Sequence, residues 1–94
     1  MEIAAFEWRR ANIAKLAEGH GIAAWEVEEL RELGTWAVRV HPDYPDQVRI
    51  TGPTRTGRFL TIVLEPTEHP AIWRPVTGWP STRAELAYYR QAYA

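Results

Sequence analysis

The sequence predicts an α+β fold: an antiparallel β-sheet of four to five strands flanked by helices, in the order β-α-α-β-β-β-β-α. Three observations carry this. The run Phe59-Leu60-Thr61-Ile62-Val63-Leu64 is apolar, β-branched or aromatic throughout and too short for a helix, so it fits a central strand buried on both faces. Two stretches near the start carry apolar residues at helical spacing and stop at glycine. Near the end, Thr82-Arg83-Ala84-Glu85 has capping-box spacing. Strands joined by short loops pair antiparallel, and helices gathered at the two ends of the chain must cover the sheet.

Taken in order, Ile3 to Trp8 reads as a short first strand with Ile3 and Ala5 inward. From Arg9 to His20 the spacing of Ile13, Leu16, Ala17 and His20 marks one helix face, and Gly19 with Gly21 stops it. A second helix over Ala24 to Leu33 places Val27 and Leu30 inward, its glutamates outward, and Gly34 after its end. Trp36-Ala37-Val38-Arg39-Val40 alternates as a strand does, and His41-Pro42-Asp43-Tyr44-Pro45-Asp46 has the composition of a turn. Arg49-Ile50-Thr51 pairs with the central strand through a reversal at Thr54-Arg55-Thr56-Gly57. A last strand runs from Ala71 to Val76, its Pro75 arguing for an edge or a bulge, and Trp79-Pro80-Ser81 breaks it. The final helix, opened by Thr82, presents Leu86, Tyr89 and Tyr93 on one side.

A chain of 94 residues builds one domain, here 1–94, with 46% hydrophobic and 24% charged residues as in ordinary globular proteins. It has no cysteine, which excludes disulfides and thiolate chemistry. The N-terminus has neither a basic leader nor a long apolar run, so the expectation is a soluble, cytoplasmic protein without membrane contact. Net charge is −1, yet it is unevenly spread. Residues 18–32 hold five glutamates against Arg31, whereas Arg49, Arg55 and Arg58 lie in 47–64 without an acid. The hairpin is the basic part, and the acidic helix is either solvated surface or a dock for a basic partner.

Chemistry is constrained by what is missing. His20, His41 and His69 stand far apart without ligand spacing, which argues against a metal site. Thr51 to Gly57 is glycine-containing but enters a strand and lacks Gly-Lys-Ser/Thr, so it is no phosphate loop. Arg49, Arg58 and Arg74 fall on neighbouring strands and would form a cationic site if they share a face; arginine's planar fork suits phosphodiesters. Cleavage of RNA would then need only a proton carrier, for which His41 at a strand end and Glu85 are the candidates. Glu85 is also explained as a helix cap, and the arginines as countercharges of the acidic helix.

Several stretches resemble the BrnT family of bacterial type II toxins. They are Phe6-Glu7-Trp8, the helix with Asn12 and Lys15, His20-Gly21-Ile22, Glu26-Val27-Glu28-Glu29, Gly52, Gly57-Arg58-Phe59-Leu60-Thr61-Ile62-Val63, Arg74-Pro75-Val76-Thr77, and the helix with Glu85 and Tyr88-Tyr89. The resemblance implies a RelE-like fold and a metal-independent ribonuclease without cofactor, neutralised by a cognate antitoxin that joins it in repressing their operon. It matches Arg58 to the glycine-arginine step before the central strand, Arg74 to the basic position of the last strand, and Glu85 to the acid of the final helix. The chain departs from the family where Ser-Ala-Arg-Lys is replaced by Thr77-Gly78-Trp79-Pro80, and its final helix keeps only Arg83 and Arg90. Arg9 and Asn12 also replace an acid and a Lys or His. Each lost cation weakens phosphate affinity.

Two functions follow as expectations. One is a toxin acting on RNA through Arg49, Arg58 and Arg74, with His41 or Glu85 moving protons. The other is a catalytically inactive protein-interaction module on the same fold, using Trp73, Trp79 and Tyr88 as contact residues, with a homodimer allowed by an exposed strand edge.

Overall fold

The computed structural model describes residues 1–93. Its elements follow the predicted order: β1 (Ala5–Phe6), α1 (Arg10–His20), α2 (Ala24–Leu33), β2 (Ala37–Val40), β3 (Val48–Pro53), β4 (Phe59–Pro66), β5 (Ile72–Pro80) and α3 (Arg83–Ala92). The strands form one sheet in the spatial order β1-β5-β4-β3-β2. The predicted central strand is therefore central, and Leu60 through Leu64 are all buried.

Pairing is antiparallel from β2 through β5, whereas β1 joins β5 in parallel, so the sheet is mixed. A hairpin dictates direction for its two strands only. Nothing of the kind connects β1 to β5, which are separated by two helices and three strands. β1 is also shorter than Ile3 to Trp8, while β5 runs past Val76 and through Trp79-Pro80. The register slips between Val63 and Leu64, where Val76 is the additional residue opposite β4. This bulge accommodates Pro75, which cannot donate to the ladder, and lets the strand resume beyond it.

Strand alternation divides the sheet into two faces. Leu60, Ile62 and Leu64 of β4, with Ile50, Val38 and Val48, pack beneath α1 and α2 against Leu16, Ile22, Val27 and Leu30. Thr61 and Val63 face the other way. That second face is partly covered by α3, whose Tyr89 meets Phe59 edge-on at 5.1 Å. In α1 only Leu16 is buried; Ile13 and Ala17 are exposed, and the inward line is Asn12, Leu16 and His20. The helix is rotated from the expected face, with Asn12 Nδ2 donating to Val76 O at the bulge at 3.4 Å.

Gly21 and Gly34 end α1 and α2 in the left-handed conformation at φ 64° and 67°, as glycine permits. At the β2 edge, two carbonyls are taken by side chains of the last helical segment. Tyr88 donates its hydroxyl to Val38 O at 2.9 Å, and Tyr93 to Trp36 O at 2.8 Å. Among the described residues no helix is long and apolar enough to cross a membrane.

Candidate functional site

The basic hairpin and the acidic helix meet each other. Glu26, Glu29 and Glu32 recur every third residue, a spacing that aligns them along one side of α2. Arg58 Nη1 donates to both carboxylate oxygens of Glu26, at 3.0 and 2.9 Å, and to Gly21 O at 3.1 Å. Arg55 reaches Glu32 at 2.9 Å, and its backbone N–H donates to Glu29 at 3.2 Å. Glu26 also accepts from Ala23 N at 3.0 Å, supplying half a capping box at a residue that has no side-chain oxygen of its own. The arginines of the hairpin tip are thus neutralised by the acidic helix. Because Arg58 remains over a third exposed, its pair contributes under about 1 kcal/mol to stability; an Arg58→Ala protein should melt within a few degrees of the parent, measured by circular dichroism.

Arg74 is held by two acids. Its Nε and Nη2 donate to Glu7 Oε1 at 2.8 and 2.5 Å, and its Nη1 to Glu65 at 2.6 Å. Hydrogen bonds first with Glu65 and then with Glu7 raise its pKa above the ordinary arginine value, so it is permanently charged and already paired. Beside it lies an open cleft of about 360 Å³, lined by Glu7, Thr67, Glu68, His69, Ile72 and Arg74. Two of its six lining residues are glutamates, and its one arginine is already paired with Glu7, which disfavours a phosphate.

Arg49 has a different setting. It lies on β3 directly across from Arg39 of β2 and Val63 of β4, on the face away from α1 and α2. Neither Arg39 nor Arg49 has a carboxylate partner among the described residues. Arg49 Nε is buried without a hydrogen-bond partner, an unmet donor of a kind that costs about 1–3 kcal/mol. Arg39 sits with its guanidinium 4.6 Å from the centre of the Tyr88 ring, a cation–π contact. Of the three predicted cations, then, Arg49 and Arg74 share a sheet face, Arg58 points to the helix layer, and among the described residues only Arg49 lacks a counter-ion. Arg39 was not singled out in the sequence. Its signal was its phase within Trp36 to Val40, opposite to that of the core-facing Trp36 and Val38.

Glu85 is 4% exposed. It caps α3 reciprocally with Thr82, accepting from Thr82 N at 2.7 Å while Glu85 N donates to Thr82 Oγ1 at 3.2 Å. Trp79 Nε1 donates to both of its oxygens, at 3.0 and 3.1 Å. Burial pushes its pKa up, but the donors from Thr82, Trp79 and the Thr61 hydroxyl outweigh this and leave it below the ordinary glutamate value. Glu85 is consequently a saturated carboxylate and a poor proton acceptor in this conformation. Thr61 continues the polar cluster to Thr51 and Ser81, each at 2.9 Å. His41 is similarly occupied: its Nδ1 accepts from Asp43 N at 3.0 Å and Tyr44 N at 3.3 Å, shaping the β2–β3 turn. Among the described residues no cluster of three His, Asp or Glu side chains is placed to hold a metal ion.

The aromatic residues expected at a contact surface have their polar tips satisfied within the chain. Trp73 Nε1 donates to Glu2 O at 3.2 Å, Trp79 to Glu85, and Tyr88 to Val38 O. Trp8 Nε1 donates to Glu28 at 2.8 Å. Of the tryptophans, Trp25 is the exposed one, at 63%.

The architecture has a solved counterpart. The chain is similar to the ribonuclease toxin BrnT of Brucella abortus, with a TM-score of 0.64, covering 84% of this chain and 97% of that one. Sequence identity is 11%, so the likeness is one of fold. No protein-family model and no curated protein matches the sequence.

Proposed function

We propose that this protein is a BrnT-like toxin that acts on RNA and is held in check by a cognate antitoxin protein. The observation that carries the reading is a cation without a counter-ion among the described residues, Arg49, on the sheet face of a fold that a ribonuclease toxin also has. In this reading Arg49 binds the phosphodiester and stabilises charge on the pentacovalent phosphate, a role that requires neither metal nor cofactor. Arg58 and Arg74, paired with carboxylates, hold the hairpin and the β1–β5 edge in place. His41 and Glu85 would serve as proton carriers only after releasing their present hydrogen bonds.

That last requirement favours a second reading, an inactive interaction module on the same scaffold. Induced expression in a bacterial host, with growth and total RNA followed together, separates the two. Growth arrest with RNA loss in the parent, reduced at least about tenfold in Arg49→Ala, is the result expected of the toxin. Normal growth with intact RNA in both would overturn the ribonuclease and leave the module.

A further inference from the structure

Arg39 and Arg49 stand directly opposite each other in an antiparallel strand pair, where like charges repel. Among the described residues neither has a carboxylate partner, and one donor of Arg49 is buried without any acceptor. The other two arginines of the hairpin, Arg55 and Arg58, each meet glutamate. The repulsion is relieved by an anion placed between the two guanidinium groups, and the buried Nε of Arg49 shares in that relief once its side chain turns toward the anion. The adjoining Tyr88 ring adds a flat surface already stacked by Arg39, and Tyr88 is itself fixed by its bond to Val38 O.

From this we infer that Arg39, Arg49 and Tyr88 form a binding site for a backbone phosphate of single-stranded nucleic acid, with Arg39 and Arg49 as the two halves of the phosphate fork. The inference rests on the reading above for its substrate class. An acidic peptide would satisfy the charge, but an aromatic ring beside paired arginines is the combination that also accommodates an unstacked base. Arg39 thereby becomes a substrate-binding residue, and the frustration in the free protein is the cost of keeping the site open.

The test uses a labelled 2′-O-methyl RNA, which lacks the free 2′-hydroxyl needed for cleavage, so that binding is read independently of nuclease activity. Fluorescence polarisation should show affinity falling on the order of tenfold in Arg39→Met and in Arg49→Met. The slope of log affinity against log salt should drop by about 0.7 for each. Arg10→Met, which removes an exposed cation from the first residue of α1, should bind as the parent does. In a buffer without phosphate, Arg49→Met should melt above the parent, since it removes both the repulsion and the unmet donor. Added inorganic phosphate should raise the melting temperature of the parent and leave both Met variants unmoved.

Unchanged RNA affinity in Arg39→Met overturns the site, as does an Arg49→Met protein that melts lower or fails to fold. Competition by an oligoglutamate peptide at the same concentrations as RNA would also overturn it, in favour of a carboxylate-binding surface. An intact site on a protein that leaves cellular RNA whole would instead remove the ribonuclease and keep the binding inference.

Discussion

A Gly78→Ala protein is expected to be destabilised by about 1–3 kcal/mol, lowering its melting temperature by on the order of 10 °C in a thermal scan. Gly78 lies in β5 opposite Ile62, at the centre of the sheet. A Cβ there would come within 2.6 Å of Ile62 Cδ1 and 2.8 Å of Thr61 O. The first contact is with the end of a side chain, but Ile62 is fully buried and has no empty space to turn into. The second is with backbone inside the β4–β5 ladder and can yield only by spreading the two strands. A Gly78→Ala protein that melts with the parent would mean that β5 is not held this closely against β4.

Comparable in size is the effect expected of Glu85→Ala, a loss of about 2–4 kcal/mol and roughly 10–20 °C. The substitution leaves Thr82 N and Trp79 Nε1 without their acceptor and removes one half of the cap of α3. Its pH dependence has a definite sign. The folded carboxyl ionises more readily than an unfolded one, so its contribution is complete above the ordinary carboxyl range of about 4.3 and is lost as pH falls through the lower folded value. Glu85→Gln, which keeps one acceptor oxygen, should fall less than Glu85→Ala and should lack this acid-side loss. Stability curves across the acid limb for the three proteins would decide the matter; parallel limbs in all three would remove Glu85 as the linked group.

Much of the layout was legible because local chemistry agreed with it. The uninterrupted run to Leu64 identified the central strand, Gly21 and Gly34 marked the ends of α1 and α2, and Thr82 with Glu85 opened α3 where the cap is found. What escaped was set by distant partners. The continuation of β5 past Pro75 depends on a bulge against β4, and the parallel seat of β1 depends on where β5 lies. The inward line of α1 keeps Leu16 but takes in Asn12, which meets the bulge carbonyl, in place of Ile13 and Ala17.

The arginines followed the same division. Their charge was visible from composition, but which of them remained available depended on pairing. The carboxylates at every third residue of α2 claim Arg55 and Arg58, while Glu7, just after β1, and Glu65 of β4 claim Arg74 from its two sides. Only the strand register reveals that Arg49 faces a second arginine, a relation that no local pattern specifies. Trp79 donates to Glu85 and brings no charge.

The two tyrosine hydroxyls on Val38 O and Trp36 O bear on self-association. An edge strand with open carbonyls is a ready template for another chain, and edge-to-edge joining is a common route from folded monomer to polymer. Here two of the outer carbonyls are occupied from within, by Tyr88 of α3 and by Tyr93 just after it. At the opposite border β1 offers only two residues. Sheet extension through β2 would therefore begin with release of the tyrosines, and solubility at high concentration is tied to how firmly that closing segment stays down.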